Sequence, residues 1–161
     1  MMVIEKRAAA GAAGTEQLLL PFEARCKSRL RTQLLGGEEC GLFLERGTVL
    51  RGGDRLLAND GRVVEVVAAP EALCEAVSGE ALLLLRAAYH LGNRHVAVEI
   101  GPGRLRFARD VVLAEMVRGL GLPVKDVVAP FEPESGAYAG HGHSTDGEGR
   151  GPRIHDHFMK R

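Results

Sequence analysis

The chain has 161 residues, enough for one full domain or two small ones. Its 21 Lys and Arg residues balance 21 Asp and Glu residues, and aromatic residues make up only 4% with no Trp. The charge balance argues against a nucleic-acid or anionic-membrane partner, and the scarcity of aromatic rings against the stacking platforms of single-strand binders.

Gly occurs 21 times, against a usual share of about 7%, which favours a loop-rich fold with many short turns. Cys26, Cys40 and Cys74 are widely spaced and form no C-x-x-C pair. They read as reduced thiols, small buried or half-buried residues, rather than as a disulfide framework or a zinc ribbon. Residues 1–14 resemble a signal peptide only weakly, because the apolar stretch is short, Gly-interrupted and built from Ala. No run approaches the ~18 apolar residues of a membrane span, so the chain reads as soluble and cytoplasmic.

Residues 18–69 read as short strands separated by turns. Arg25-Cys-Lys-Ser-Arg-Leu-Arg31 is basic at every second position, suiting one solvated strand face. Gly41-Leu-Phe-Leu44, Gly47-Thr-Val-Leu50 and Arg55-Leu-Leu57 follow as strand segments, and Asn59-Asp-Gly61 is a hairpin signal leading into Val63-Val-Glu-Val-Val67. Asp54, Asp60 and Asp110 sit in turn or cap contexts.

After Pro70 the pattern changes. Residues 71–77 read as a strand, and Ser78 as the cap of a helix over 81–91 whose buried stripe is Leu82, Leu85, Ala88 and Tyr89. Gly92-Asn93 ends it with left-handed capping chemistry. Strands over 95–100 and 104–107 enclose the Gly101-Pro-Gly103 turn. Asp110 caps a helix over 111–119 with Val112, Met116 and Leu120 as apolar positions, and a last strand covers 123–128. The order β-α-β-β-α-β is that of ferredoxin-like folds. The expected class is α+β: a β-rich domain (1–70), a ferredoxin-like domain (71–138) and a polar, Gly-rich tail (139–161) too poor in apolar residues to order itself.

All six histidines lie in the second half: His90, His95, His141, His143, His155 and His157. The two H-x-H pairs of the tail suit ion capture, since neighbouring imidazoles can close on one metal; an incidental polar tail is the plain alternative. In Tyr89-His-Leu-Gly-Asn-Arg-His95, His90 falls at a helix end, where a capping or packing role competes with ligation. His95 is expected at a strand start, a fixed position. Two imidazoles cannot hold a divalent ion tightly alone, but a two-fold dimer would bring His95 of each subunit to the axis. Arg94 is expected to pair with a carboxylate. No phosphate-binding loop, nucleophile elbow or H-E-x-x-H helix is present.

Tyr89-His-Leu-Gly-Asn-Arg-His95, Gly101-Pro-Gly103 and Pro130-Phe-Glu-Pro-Glu-Ser-Gly-Ala-Tyr138 closely resemble the UreE family, the nickel metallochaperones of urease maturation. Arg25-x-Lys-Ser-Arg-x-Arg31 and Gly41-Leu-x-Leu-x-Arg-Gly47 through Gly53-Asp54 also match, so the resemblance runs from about Pro21 to Tyr138. It implies a peptide-binding-like N-terminal domain, a ferredoxin-like metal-binding domain and a homodimer. It implies that His95 is the Ni(II) ligand shared across the dimer axis, with His90 in the same tract but not the principal ligand, and that His141, His143, His155 and His157 form a variable nickel-binding extension.

The implied activity is delivery of Ni(II) to urease apoprotein with a GTPase partner, without catalysis of any covalent step. Cu(II) and Zn(II) would compete, because ligand type alone does not select nickel. Arg109 and Val111 stand where some relatives carry a further histidine pair, so that auxiliary site is not expected. Two other readings stay open: an interaction module of a maturation complex whose tail binds metal incidentally, and, third, an enzyme using His90 and His95 as an acid/base pair.

Overall fold

The computed structural model describes residues 1–136. The first sheet contains six strands: β1 (Met2–Arg7), β2 (Glu16–Leu20), β3 (Arg29–Gln33), β4 (Glu39–Phe43), β5 (Arg55–Ala58) and β6 (Val63–Ala68). A single helical turn, α1 (Phe22–Arg25), lies between β2 and β3. The spatial order is β2-β6-β5-β1-β4-β3, with β1–β4 and β2–β6 parallel and the other pairs antiparallel. Strand alternation turns Ile4, Leu18, Leu42, Leu56, Val64 and Val66 inward, where with Leu50 they are wholly buried in one core.

Residues 2–7, to which the sequence assigns no strand, form a central strand between β4 and β5. Their signal is only the pair Met2 and Ile4, too short a period to register. The basic run 25–31 is not one strand. Pro21 precedes the α1 turn, Arg25 ends it fully buried, and only Arg29 onward is extended. Residues 47–50 are turn and loop, not strand, although Leu50 still reaches the core. The Asn59-Asp-Gly61 hairpin forms as expected, with Gly61 at φ +88°.

The second sheet contains β7 (Pro70–Val77), β8 (Val98–Gly101), β9 (Arg104–Ala108) and β10 (Val124–Pro130), antiparallel throughout in the order β10-β7-β9-β8. Helices α2 (Ala81–Gly92) and α3 (Val111–Gly119) complete the β-α-β-β-α-β sequence. Cys74, Ala76, Val98, Leu105 and Phe107 form a core with Ala87, Leu91, Ala114 and Val117 of the helices. The alternate sheet positions carry charge: Glu75, Glu99, Arg104 and Arg106. The fold is thus α+β, a β-rich unit followed by a sheet-plus-helix unit. No helix among the described residues is long and apolar enough to cross a membrane.

Asp110 caps α3 as expected, its carboxylate accepting from Leu113 N at 2.9 Å. Val112, expected to be buried, is 77% exposed. At α2 the cap position belongs to Glu80, and the Ser78 hydroxyl accepts from Glu80 N two residues too early to cap the helix. Of the expected buried stripe only Ala88 packs against the core; Leu82, Leu85 and Tyr89 are 66–68% exposed, and the core takes Ala87 and Leu91. Both sets have helical spacing, because residues 81–85 are apolar all round. Cys40 and Cys74 are buried as expected, whereas Cys26 is exposed.

Candidate metal centre

The 89–95 tract closes α2. Val96 N donates to Leu91 O at 3.2 Å and His95 N to Gly92 O at 2.9 Å, the paired bonds of a Schellman closure. The residue that turns left-handed is His95, at φ +57°, the one non-Gly residue with positive φ among the described residues. This corrects two expectations. Asn93 is right-handed, at φ −61°, and His95 sits in a helix-closing turn three residues before β8 rather than at a strand start. The position normally favours Gly, so an L side chain there costs backbone energy.

His95 is exposed and His90 half-buried. The His90 ring stands edge-on to Tyr89 at 5.4 Å between centroids. Among the described residues Arg94 takes no carboxylate; its Nη1 donates to the His90 carbonyl at 3.0 Å, satisfying a helix-terminal acceptor. The structure therefore puts His90 and His95 on one helix end. Among the described residues it gathers no group of three His, Cys, Asp or Glu side chains able to enclose a metal ion. His141, His143, His155 and His157 lie outside the described residues. Next to the tract, the exposed Leu82, Leu85 and Tyr89 run along α2 toward the His95 turn, an apolar stripe with no partner in the described chain.

Arg109, where no auxiliary site is expected, pairs with Asp126 at 2.8 Å, and Val111 is exposed. Neither supplies a metal ligand of the imidazole type.

The second motif, Pro130 to Ser135, has a different role that its composition did not disclose. Arg25, wholly buried, donates to Leu20 O at 3.2 Å, Leu50 O at 3.4 Å, Phe131 O and Glu132 Oε1 at 2.7 Å. Arg51 reaches Glu132 Oε2, Pro133 O and Ser135 Oγ, while Gly52 N donates to Glu132 Oε1 at 2.9 Å. A Cβ at Gly52 would lie 3.1 Å from that oxygen, so a larger residue would press on the contact. Phe22 and Phe131 pack edge to face at 5.6 Å, and Glu71 accepts from Phe22 N at 2.7 Å. The motif thus ties the end of the second unit to α1 and the 50–52 turn of the first.

From Glu132 the polar contacts continue across the open face of the second sheet. Glu132 N donates to Glu99 Oε2, Glu99 pairs with Arg104 and Arg106, and Glu75 pairs with Arg106 and Lys125. Burial alone would raise the Glu75 carboxyl, but hydrogen bonding and charge from Lys125 and Arg106 outweigh it and hold its pKa below the usual value.

Two family models match in tandem: the N-terminal domain of the UreE urease accessory protein over residues 3–69 and its C-terminal domain over residues 71–158. The urease accessory protein UreE of Dechloromonas aromatica is 57% identical over 137 residues, covering 82% of this chain and 78% of the relative. That of Azotobacter vinelandii is 49% identical over 166 residues, covering all of both chains, and that of Cupriavidus necator is 56% identical over 132 residues, covering 80% and 69%. With both models matching and whole-length identity near one half, the chain belongs to the UreE urease accessory protein family.

Proposed function

We propose that the chain is a homodimeric, cytoplasmic nickel metallochaperone that hands Ni(II) to urease apoprotein together with the maturation GTPase. Membership of the family gives it a role in urease maturation; the metal, the dimer and the partners are the reading advanced here. It divides the chain into domains over 1–70 and 71–138 and a tail over 139–161. The observation that carries it is an exposed, strained His95 in the turn that closes α2, beside an apolar stripe of that helix with no partner among the described residues.

A stripe of Leu82, Leu85 and Tyr89 suits an isologous contact, and such a contact duplicates whatever lies beside it. Two His95 imidazoles, one from each subunit, would then share one ion, with His90 nearby and His141, His143, His155 and His157 collecting or completing its shell. Such an under-coordinated site exchanges its ion readily, as handover requires. Neutral imidazole suits Ni(II), but Cu(II) and Zn(II) bind it too, so metal identity rests on the partners.

Nickel calorimetry with mass measured in parallel tests the reading. The intact protein should bind one tight ion per two chains. His95→Ala should remove that ion, whereas truncation after Tyr138 should lower only the total bound. Because protons compete for imidazole nitrogen, affinity should fall as pH drops through ~6.5. Loss of the tight ion on truncation with retention in His95→Ala would transfer the site to the tail and overturn the proposal.

A further inference from the structure

We propose that the outer edge of β3 is a docking edge for an acidic, extended polypeptide segment, which adds to the first sheet as a seventh strand. The strand order ends at β3, and no described strand pairs with its outer side. Leu44 N donates to Ser28 O and Leu34 N to Glu38 O. By antiparallel alternation Leu30 and Thr32 then hold the bonds to β4, and the N–H and C=O groups of Arg29, Arg31 and Gln33 point outward. An open row of such groups is a template for an incoming strand.

The side chains choose which strand. Arg29, Arg31 and Gln33 are the exposed positions of β3, and Arg29 stands opposite the half-exposed Phe43. The Phe43 ring lies over Gly41, where a Cβ would come within 2.9 Å of it, so the face beside the edge is aromatic between guanidinium groups. At one end of the strand, Lys27, Arg29 and Arg46 line an open pocket of about 550 Å³. Lys27 and Arg31 have exposed carboxylate partners, Glu23 and Glu39, while Arg29 and Arg46 have none among the described residues.

Edge cations are also the usual guard against self-pairing, because a second copy would bring like charges together. The same arrangement leaves the edge open to a strand of opposite charge, so the repulsion supplies the specificity. Nickel plays no part in this contact.

Fluorescence anisotropy on the full-length protein, with a labelled Glu-Val-Asp-Val-Glu-Val-Asp peptide as probe, tests it. Saturable binding that weakens with salt is expected, with a Lys-Val-Lys-Val-Lys-Val-Lys peptide not bound. Arg31→Pro removes an outward N–H without touching a β3–β4 bond and should weaken the acidic peptide at least tenfold. The double variant Arg29→Glu with Arg46→Glu should lose the acidic peptide and gain the basic one; it decides alone if the proline variant unfolds. The proposal is overturned if the acidic peptide does not bind, if the charge reversal leaves its binding unchanged, or if single-stranded DNA displaces it as effectively as unlabelled peptide, which would mean charge without strand addition.

Discussion

Two motifs of this chain, Tyr89 to His95 and Pro130 to Ser135, are treated oppositely by the fold. Around Pro130–Ser135 the carbonyls, guanidinium groups and carboxylates engage one another within one chain, down to an Arg25 with no exposure. Around Tyr89–His95 the reactive groups are left over: an exposed imidazole in a left-handed backbone, and three apolar side chains facing outward. The first pattern holds two units together. On the proposed function, the second supplies one half of a site shared between two chains.

Breaking the first region should have the largest effect. Arg25→Ala removes the buried partner of Glu132 and strands the carbonyls of Leu50 and Phe131. Each buried acceptor left without a donor costs about 1–3 kcal/mol, so a fall in Tm on the order of 10 °C is expected for a protein of this size. Arg25→Lys should not restore it, since one ammonium cannot reach acceptors arranged for a planar fork. Thermal unfolding of both variants measures this, and parental stability in Arg25→Ala would remove the contrast between the motifs.

How much of this was legible in the sequence follows from how local each signal is. The second unit's order of elements could be read, because its helices and strands and the Asp110 cap are signalled by neighbouring residues. The faces of α2 could not, because Ala81 to Leu85 is apolar all round and only tertiary packing decides which side is covered. Arg25 misled for the same reason: its period-2 spacing with Lys27, Arg29 and Arg31 looked solvated, yet its acceptors come from residues 50 and 131–132, far along the chain. His95 stood out by its chemistry, but not its left-handed backbone, which depends on how the helix closes onto Val96.

The second region responds in the opposite sense. His95→Gly relieves the left-handed backbone, worth about 1–2 kcal/mol, less the extra chain entropy that Gly loses, about 0.5–1 kcal/mol. A net gain of roughly 0.5–1 kcal/mol is expected, together with loss of the tight nickel ion. His95→Ala should lose the ion without that gain, because Ala keeps the strain. Denaturant titrations of the two variants separate the effects; a Gly variant less stable than the Ala variant would mean that His95 is held by something other than function.

Acid should separate the two regions with the smallest change to either. Protons compete for imidazole nitrogen at milder acidity than they need to reach Glu75, whose carboxyl, despite burial, is held below its usual value by Lys125 and Arg106. The Glu75 pKa is depressed in the folded state, so its contribution is present above the unfolded value and is lost as pH falls through the lower, folded one. The stability advantage of the parent over Glu75→Gln should therefore be constant from pH 7 to 5 and shrink toward pH 3. Nickel, in contrast, should already be released by pH 5 from a protein whose thermal transition is unchanged. If release and unfolding instead moved together across that interval, the ion would be held by groups that also hold the fold, and His95 would belong with Arg25 rather than opposite it.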